Sequence, residues 1–364
     1  MRPMARFALL GLLVGAAGCA SPAPPLDVYT PPMILVPASY AGVVDGRGRF
    51  REIYTAIRDD HGHALPEDRP VAEALHEIAN EPPPTGDPVH LGAPRIPLRI
   101  IIVPGLFGEY ILNVSSPYAY ACRHLESCGF RTGILTVGGR SSSELNAERI
   151  RDEVLAMDLE PGERIVLIGY SKGGVDSLTA VVEYPEIHDR IAALVAVCSP
   201  IGGSPSVDSL DGLFLDLFEQ LDLPGLSVGD GGAINSLRRS TRRSWLAAHE
   251  LPPSVRCYSV VAFAERGRIS SSLRSGYDEL VAIDPHNVSQ VIASDAIIPG
   301  STLLCYLNVD HWGAAMPFTR DAPLLAGTFV DRNEFPREVM LEAVVRYIEE
   351  DLQAAPGAGS ASPP

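Results

Sequence analysis

The sequence predicts an α/β domain whose central sheet is mostly parallel and covered by helices on both faces. Three observations carry this. From Leu98 onward, short β-rich apolar runs alternate with helical stretches. Several of those runs are apolar at every position, the pattern of strands buried on both sides. The alternating region spans roughly 250 residues, enough for one main domain with a sizeable core.

Taken in chain order, residues 1–18 read as a secretory signal. Arg2 and Arg6 give a charged start, Phe7 to Ala17 is apolar, and Gly18-Cys19-Ala20-Ser21 supplies the small residues of a cleavage site. The apolar run is too short to span a bilayer, which takes about 20 residues. Residues 19–37 are rich in proline and read as a tether. Residues 38–97 form a polar, proline-broken extension, within which Val71 to Asn80 has helical spacing through Val71, Ala74, Leu75 and Ile78. Residues 98–354 hold the predicted domain. Its strands are Leu98–Val103, Thr132–Val137, Arg164–Ile168, Ile191–Val197, Val255–Phe263 and Thr302–Asn308, and its clearest helices are Lys172–Tyr184 and Pro336–Leu352. Residues 204–251 interrupt the strand count and carry Leu213, Phe214, Leu217, Phe218 and Leu221 at helical spacing, either a cap over the site or ordinary helix core. Residues 355–364 are Ala, Gly, Ser and Pro, the composition of a disordered tail.

The formal charge is −16, and loss of Arg2 and Arg6 with the signal lowers it by two more. That balance argues against a nucleic-acid partner, since phosphate binding needs a basic face. Beyond Cys19 five cysteines remain, an odd number that cannot all pair within one chain. Cys198, Cys257 and Cys305 lie in apolar strand-like runs and read as buried thiols. Cys122 and Cys128 are near enough in sequence either to bridge or to stay free. No zinc motif, dinucleotide-binding glycine string or P-loop is present, so neither cofactor nor metal is expected.

The chemistry concentrates at Arg164-Ile-Val-Leu-Ile-Gly-Tyr-Ser-Lys-Gly-Gly, an apolar strand running into Gly169-Tyr170-Ser171-Lys172-Gly173 and then into a helix. Glycines flanking the serine allow a sharp turn that lifts its hydroxyl out at the carboxyl edge of the sheet. The helix that follows points its amino end, which favours negative charge, at the same spot. Lys172 beside the serine reads by default as solvated. A base is expected after the last strand, where Thr302-Leu-Leu-Cys-Tyr-Leu-Asn-Val-Asp-His-Trp-Gly offers His311. His286, His249, His124, His61 and His63 sit in weaker contexts. For the acid, Asp295 in Ser294-Asp-Ala-Ile-Ile-Pro preserves the order Ser, Asp, His, and Asp284 leaves more room before the last strand. Asp310 adjoins His311 and is expected to point elsewhere.

In these strings the chain resembles the α/β-hydrolase superfamily, and most closely its bacterial lipases and esterases, from about Leu98 to Leu352. The resemblance implies a serine hydrolase that cleaves carboxylic esters through an acyl-enzyme on Ser171, with His311 and Asp295 completing a triad. Ile101-Ile-Val-Pro-Gly-Leu-Phe-Gly is similar to the loop whose amide binds the oxyanion in this family, implying Leu106 and Lys172 as the two backbone donors. Val14-Gly-Ala-Ala-Gly-Cys19 resembles a lipoprotein cleavage box, which implies lipidation of Cys19 and anchoring in the cell envelope, at the outer membrane. The expected partners are therefore an ester substrate and, through the lipid, a membrane. The same triad would also serve acyl transfer or the cleavage of thioesters or amides, and the scaffold could be kept for binding alone.

Overall fold

A computed structural model describes residues 42–78, 80–106, 115–209, 229–332 and 334–354. The signal, the tether, the apolar stripe from Leu213 to Leu221 and the C-terminal tail lie outside the described residues. Seven parallel strands form one sheet in the order β1-β7-β6-β5-β4-β2-β3. They are β1 (Val44–Asp45), β2 (Leu98–Val103), β3 (Arg131–Ile134), β4 (Arg164–Tyr170), β5 (Ile191–Val197), β6 (Arg256–Phe263) and β7 (Thr302–Asn308). The helices of seven residues or more are α1 (Arg47–Asp60), α2 (Ala119–Ser127), α3 (Ser143–Ala156), α4 (Lys172–Glu183), α5 (Arg239–Ala248), α6 (Arg274–Leu280) and α7 (Arg337–Ala354).

The unbroken apolar character of β4 and β5 is explained by their position at the centre of the sheet. From Ile165 to Tyr170 and from Ile191 to Val197 every residue is buried. One face of the sheet packs against α1, α2 and α7, in a core holding Ile53, Leu125 and Val344. The other packs against α3, α4 and α5, in a core holding Ile150, Leu178 and Leu246. This is the three-layer arrangement that buries a parallel sheet.

The N-terminal extension is integral to these layers. Its strand β1 pairs with β7 through Val44 with Thr302 and Asp45 with Leu303. Helix α1 sets Phe50, Ile53, Tyr54 and Ile57, a stripe at helical spacing, wholly inside the core. The helix expected from Val71 to Asn80 stops at Ala74. β1 covers only the first two residues of β7, so the edge beyond is open, and Leu75 pairs there antiparallel with Leu307 while the His76 amide donates to the Tyr306 carbonyl at 2.8 Å. Edge pairing overrides the helical spacing. At the far edge, β3 ends at Ile134, three residues short of the expected Val137.

Candidate active site

The chain reverses direction across the sheet at β2. From there it runs outward to β3 and then returns to lay β4 on the other side of β2. Such switch points open a crevice at the carboxyl ends of the strands. Ser171 stands at that crevice, between the end of β4 and the start of α4, with φ 55° and ψ −129°. A positive φ on a residue bearing a Cβ costs of order 1–3 kcal/mol and persists only where the surroundings impose it. Here the Ser171 amide donates to the Val197 carbonyl at 3.0 Å, and the Gly174 amide donates to the Ser171 carbonyl at 3.1 Å.

The two glycines around the serine are required by close approach. A Cβ on Gly169 would lie 2.3 Å from the Gly174 Cα, and one on Gly173 would lie 2.1 Å from the Val103 carbonyl oxygen. The second contact brings the end of β2 against the elbow. The loop after β2 consequently lies on the serine, and a Cβ on Gly105 would sit 3.2 Å from Ser171 Oγ. Leu106 follows immediately, partly buried. The expected backbone donors, those of Leu106 and Lys172, belong to the loop after β2 and to the first residue of α4.

His311 follows β7 and is buried, with Nε2 3.0 Å from Ser171 Oγ. Its backbone carbonyl accepts the Tyr170 hydroxyl at 2.7 Å, and the two rings lie 5.2 Å apart. Tyr170, the variable residue of the glycine-serine motif, therefore positions the imidazole from the strand that presents the serine. Nothing in the motif's spacing marks it for this role. Burial pushes the His311 pKa down to about 3, so the ring is neutral and able to accept a proton from the hydroxyl. Its Nδ1 has no hydrogen-bond partner among the described residues.

The carboxylates are arranged differently from a triad acid in contact with its histidine. Asp295 lies in a short 3₁₀ turn before β7, buried, and its carboxylate meets Arg239 at 3.0 Å and Arg243 at 3.4 Å on α5. Its backbone carbonyl accepts the Gly202 amide at 2.8 Å, which ties this turn to the loop after β5. It makes no hydrogen bond to His311. Asp284 receives the amide and Nδ1 of its neighbour His286 at 2.8 and 3.0 Å. Asp310 accepts the amides of Ser270 and Gly313 at 2.8 and 2.7 Å, turned away from the ring as expected and fixing the loop that carries His311.

Lys172 corrects the expectation of a solvated side chain. It is 1% exposed, and its Nζ donates to Asp176 Oδ1 at 2.6 Å, one helical turn along α4. Asp176 also accepts Asn146 Nδ2 of α3 at 2.8 Å, so the pair on α4 is hydrogen-bonded to the neighbouring helix. Cys122 and Cys128 are both free thiols, as are Cys198, Cys257 and Cys305. No helix among the described residues is long and apolar enough to cross a membrane.

A hydroxyl on a strained strand-to-helix bend, a neutral imidazole beside it and a crevice at the reversal of a parallel sheet define a serine hydrolase of the α/β-hydrolase fold. No family model matches the chain, and no curated protein does. Among solved structures, the metagenomic carboxyl esterase MGS0156 is 42% identical, with a TM-score of 0.83, over 96% of this chain and 100% of that one. The chain belongs to the carboxylesterase family that this enzyme represents. The match takes in the N-terminal extension, which falls outside the motif-level resemblance. The Bacillus licheniformis lipase BlEst2 in its mature form shares the fold at 21% identity, with a TM-score of 0.50 over 62% of this chain and 89% of the lipase.

Proposed function

We propose that this carboxylesterase works through an acyl-enzyme on Ser171, with His311 as the base. The observation that carries the reading is the 3.0 Å separation of Ser171 Oγ and His311 Nε2 at the strained bend. The imidazole takes the hydroxyl proton as Oγ attacks the ester carbonyl carbon, then returns it to the departing alkoxide. Water repeats the sequence to release the acid. The amides of Leu106 and Lys172 bind the oxyanion, a contribution of about a hundred- to a thousandfold for one such donor. Asp295 is the acid of this proposal. Its support is the order Ser, Asp, His and its tether to the loop after β5, the strand whose last residue holds the Ser171 amide. Productive geometry requires its carboxylate to leave Arg239 and Arg243 for His311 Nδ1. Substrates are carboxylic esters, lipid-like or of small acyl groups.

We further propose export, lipidation at Cys19 and anchoring to the outer membrane, supported by the charged start, the short apolar run and the Gly-Cys junction. Replacing Ser171 by alanine should abolish both p-nitrophenyl ester turnover and fluorophosphonate labelling. Labelling that survives in the variant would reject Ser171.

A further inference from the structure

On the sheet face opposite the nucleophile helix, three elements bring metal-binding side chains to one point. His61 caps the end of α1, His124 lies on α2, and Glu342 lies on α7. One donor atom from each falls within 4.8 Å of the others. Both imidazoles address a single oxygen, with His61 Nε2 2.9 Å and His124 Nε2 2.7 Å from Glu342 Oε2. The Cys128 thiol, one helical turn after His124, is 3.8 Å from His124 Nε2.

The outer partners of this cluster are those of ligands already oriented. His61 Nδ1 is 2.9 Å from Asp60 Oδ2, the carboxylate-histidine arrangement that fixes a ring nitrogen toward a metal. Glu342 Oε1 accepts Nε and Nη2 of Arg346 at 3.2 and 3.1 Å, leaving Oε2 to face the imidazoles. The Glu342 side chain is fully buried, and His61, His124 and Cys128 are partly buried. Two imidazoles, a carboxylate and a thiol are a donor set suited to zinc. With the thiol ionised, two anionic ligands balance a divalent cation, which lowers the cost of holding the charge at a partly buried point.

We propose that His61, His124, Glu342 and Cys128 bind one zinc ion that pins α1 and α2 to α7. Zinc bonds of about 2.0–2.3 Å place ligand atoms roughly 3.3–3.6 Å apart. The imidazoles must therefore part from Oε2 by about half an ångström, and the Cys128 side chain must turn inward. The metal takes these ligands only as a thiolate, a carboxylate and imidazoles with a free Nε2 lone pair, so protons compete with it and binding weakens as pH falls.

The test uses the full chain produced with zinc in the medium, desalted and analysed by elemental mass spectrometry. About one zinc per chain is expected, with a fall in Tm on chelation and recovery on adding zinc alone. His124→Gln and Cys128→Ser should each lose the metal while keeping fluorophosphonate labelling of Ser171, which reports an intact fold. Should those variants not fold, the native chain loaded with cobalt must show tetrahedral ligand-field bands and a thiolate-to-cobalt charge-transfer band. Native protein that neither retains zinc nor gains Tm from it, zinc retained by both variants, or a cobalt spectrum without thiolate character would each overturn the proposal.

Discussion

At the residue scale, the site turns on which carboxylate reaches His311 Nδ1. Burial alone holds the ring down at about 3, and a carboxylate at Nδ1 would raise it by favouring the imidazolium. In the proposed mechanism the neutral ring is the base, so activity should fall as pH drops through the histidine pKa. Replacing Asp295 by asparagine should therefore lower kcat by several orders of magnitude and move the acid limb of the kcat–pH profile downward. Asp284→Asn should alter neither, since that carboxylate serves His286. An unchanged kcat and an unchanged limb in Asp295→Asn would remove Asp295 from the mechanism. Ser171 and His311 were legible because each stands beside its own strand, and strand ends converge at one edge of a parallel sheet. The setting of Asp295 was not, because its partners Arg239 and Arg243 sit on a helix far away in sequence. Tyr170 was equally hidden, because its role depends on the carbonyl of a residue on another strand's loop.

At the scale of elements, α4 carries a charge pair inside the protein. Breaking a buried ion pair from one side leaves an uncompensated charge and costs about 3–5 kcal/mol, whereas exchanging both partners for apolar residues is often neutral. Lys172→Met should accordingly depress Tm sharply, and the double variant Lys172→Met/Asp176→Leu should regain most of the loss, as read by thermal unfolding. A Tm for the double variant below that of the single one would show that the pair stabilises in its own right. The four-residue spacing of Lys172 and Asp176 on a helix made the contact available, yet nothing local told that this face is covered by α3. The strand positions were far more legible, since runs apolar on both faces admit few alternatives. The one false helix, beyond Ala74, fell where the open edge of β7 recruits the chain into pairing instead.

At the scale of the whole molecule, both ends of the described chain meet. Helix α1 packs against α7, and β1 pairs with the last strand. Ile53 of α1 is fully buried in that joint core. Ile53→Ala should cost about 2–5 kcal/mol through lost burial and the cavity left behind. Hydrogen exchange should then quicken in α7 as well as α1, while Ser171 keeps its labelling. Exchange faster in α1 alone would show that the two helices open independently. The extension's role was not legible because its stripe at Phe50, Ile53, Tyr54 and Ile57 finds its main partners in the last helix and strand.

This joining of the first and last elements sets the order of events during biosynthesis. The partner of Val44 is Thr302, and α1 waits for a helix that ends at Ala354. While translation proceeds, the greasy side of α1 therefore has nowhere to go, and such long-separation pairings form slowly. Until α7 has been made, those aromatic and aliphatic groups lack the helix that covers them and are a target for holdase chaperones, and a polypeptide truncated before residue 337 lacks that cover altogether.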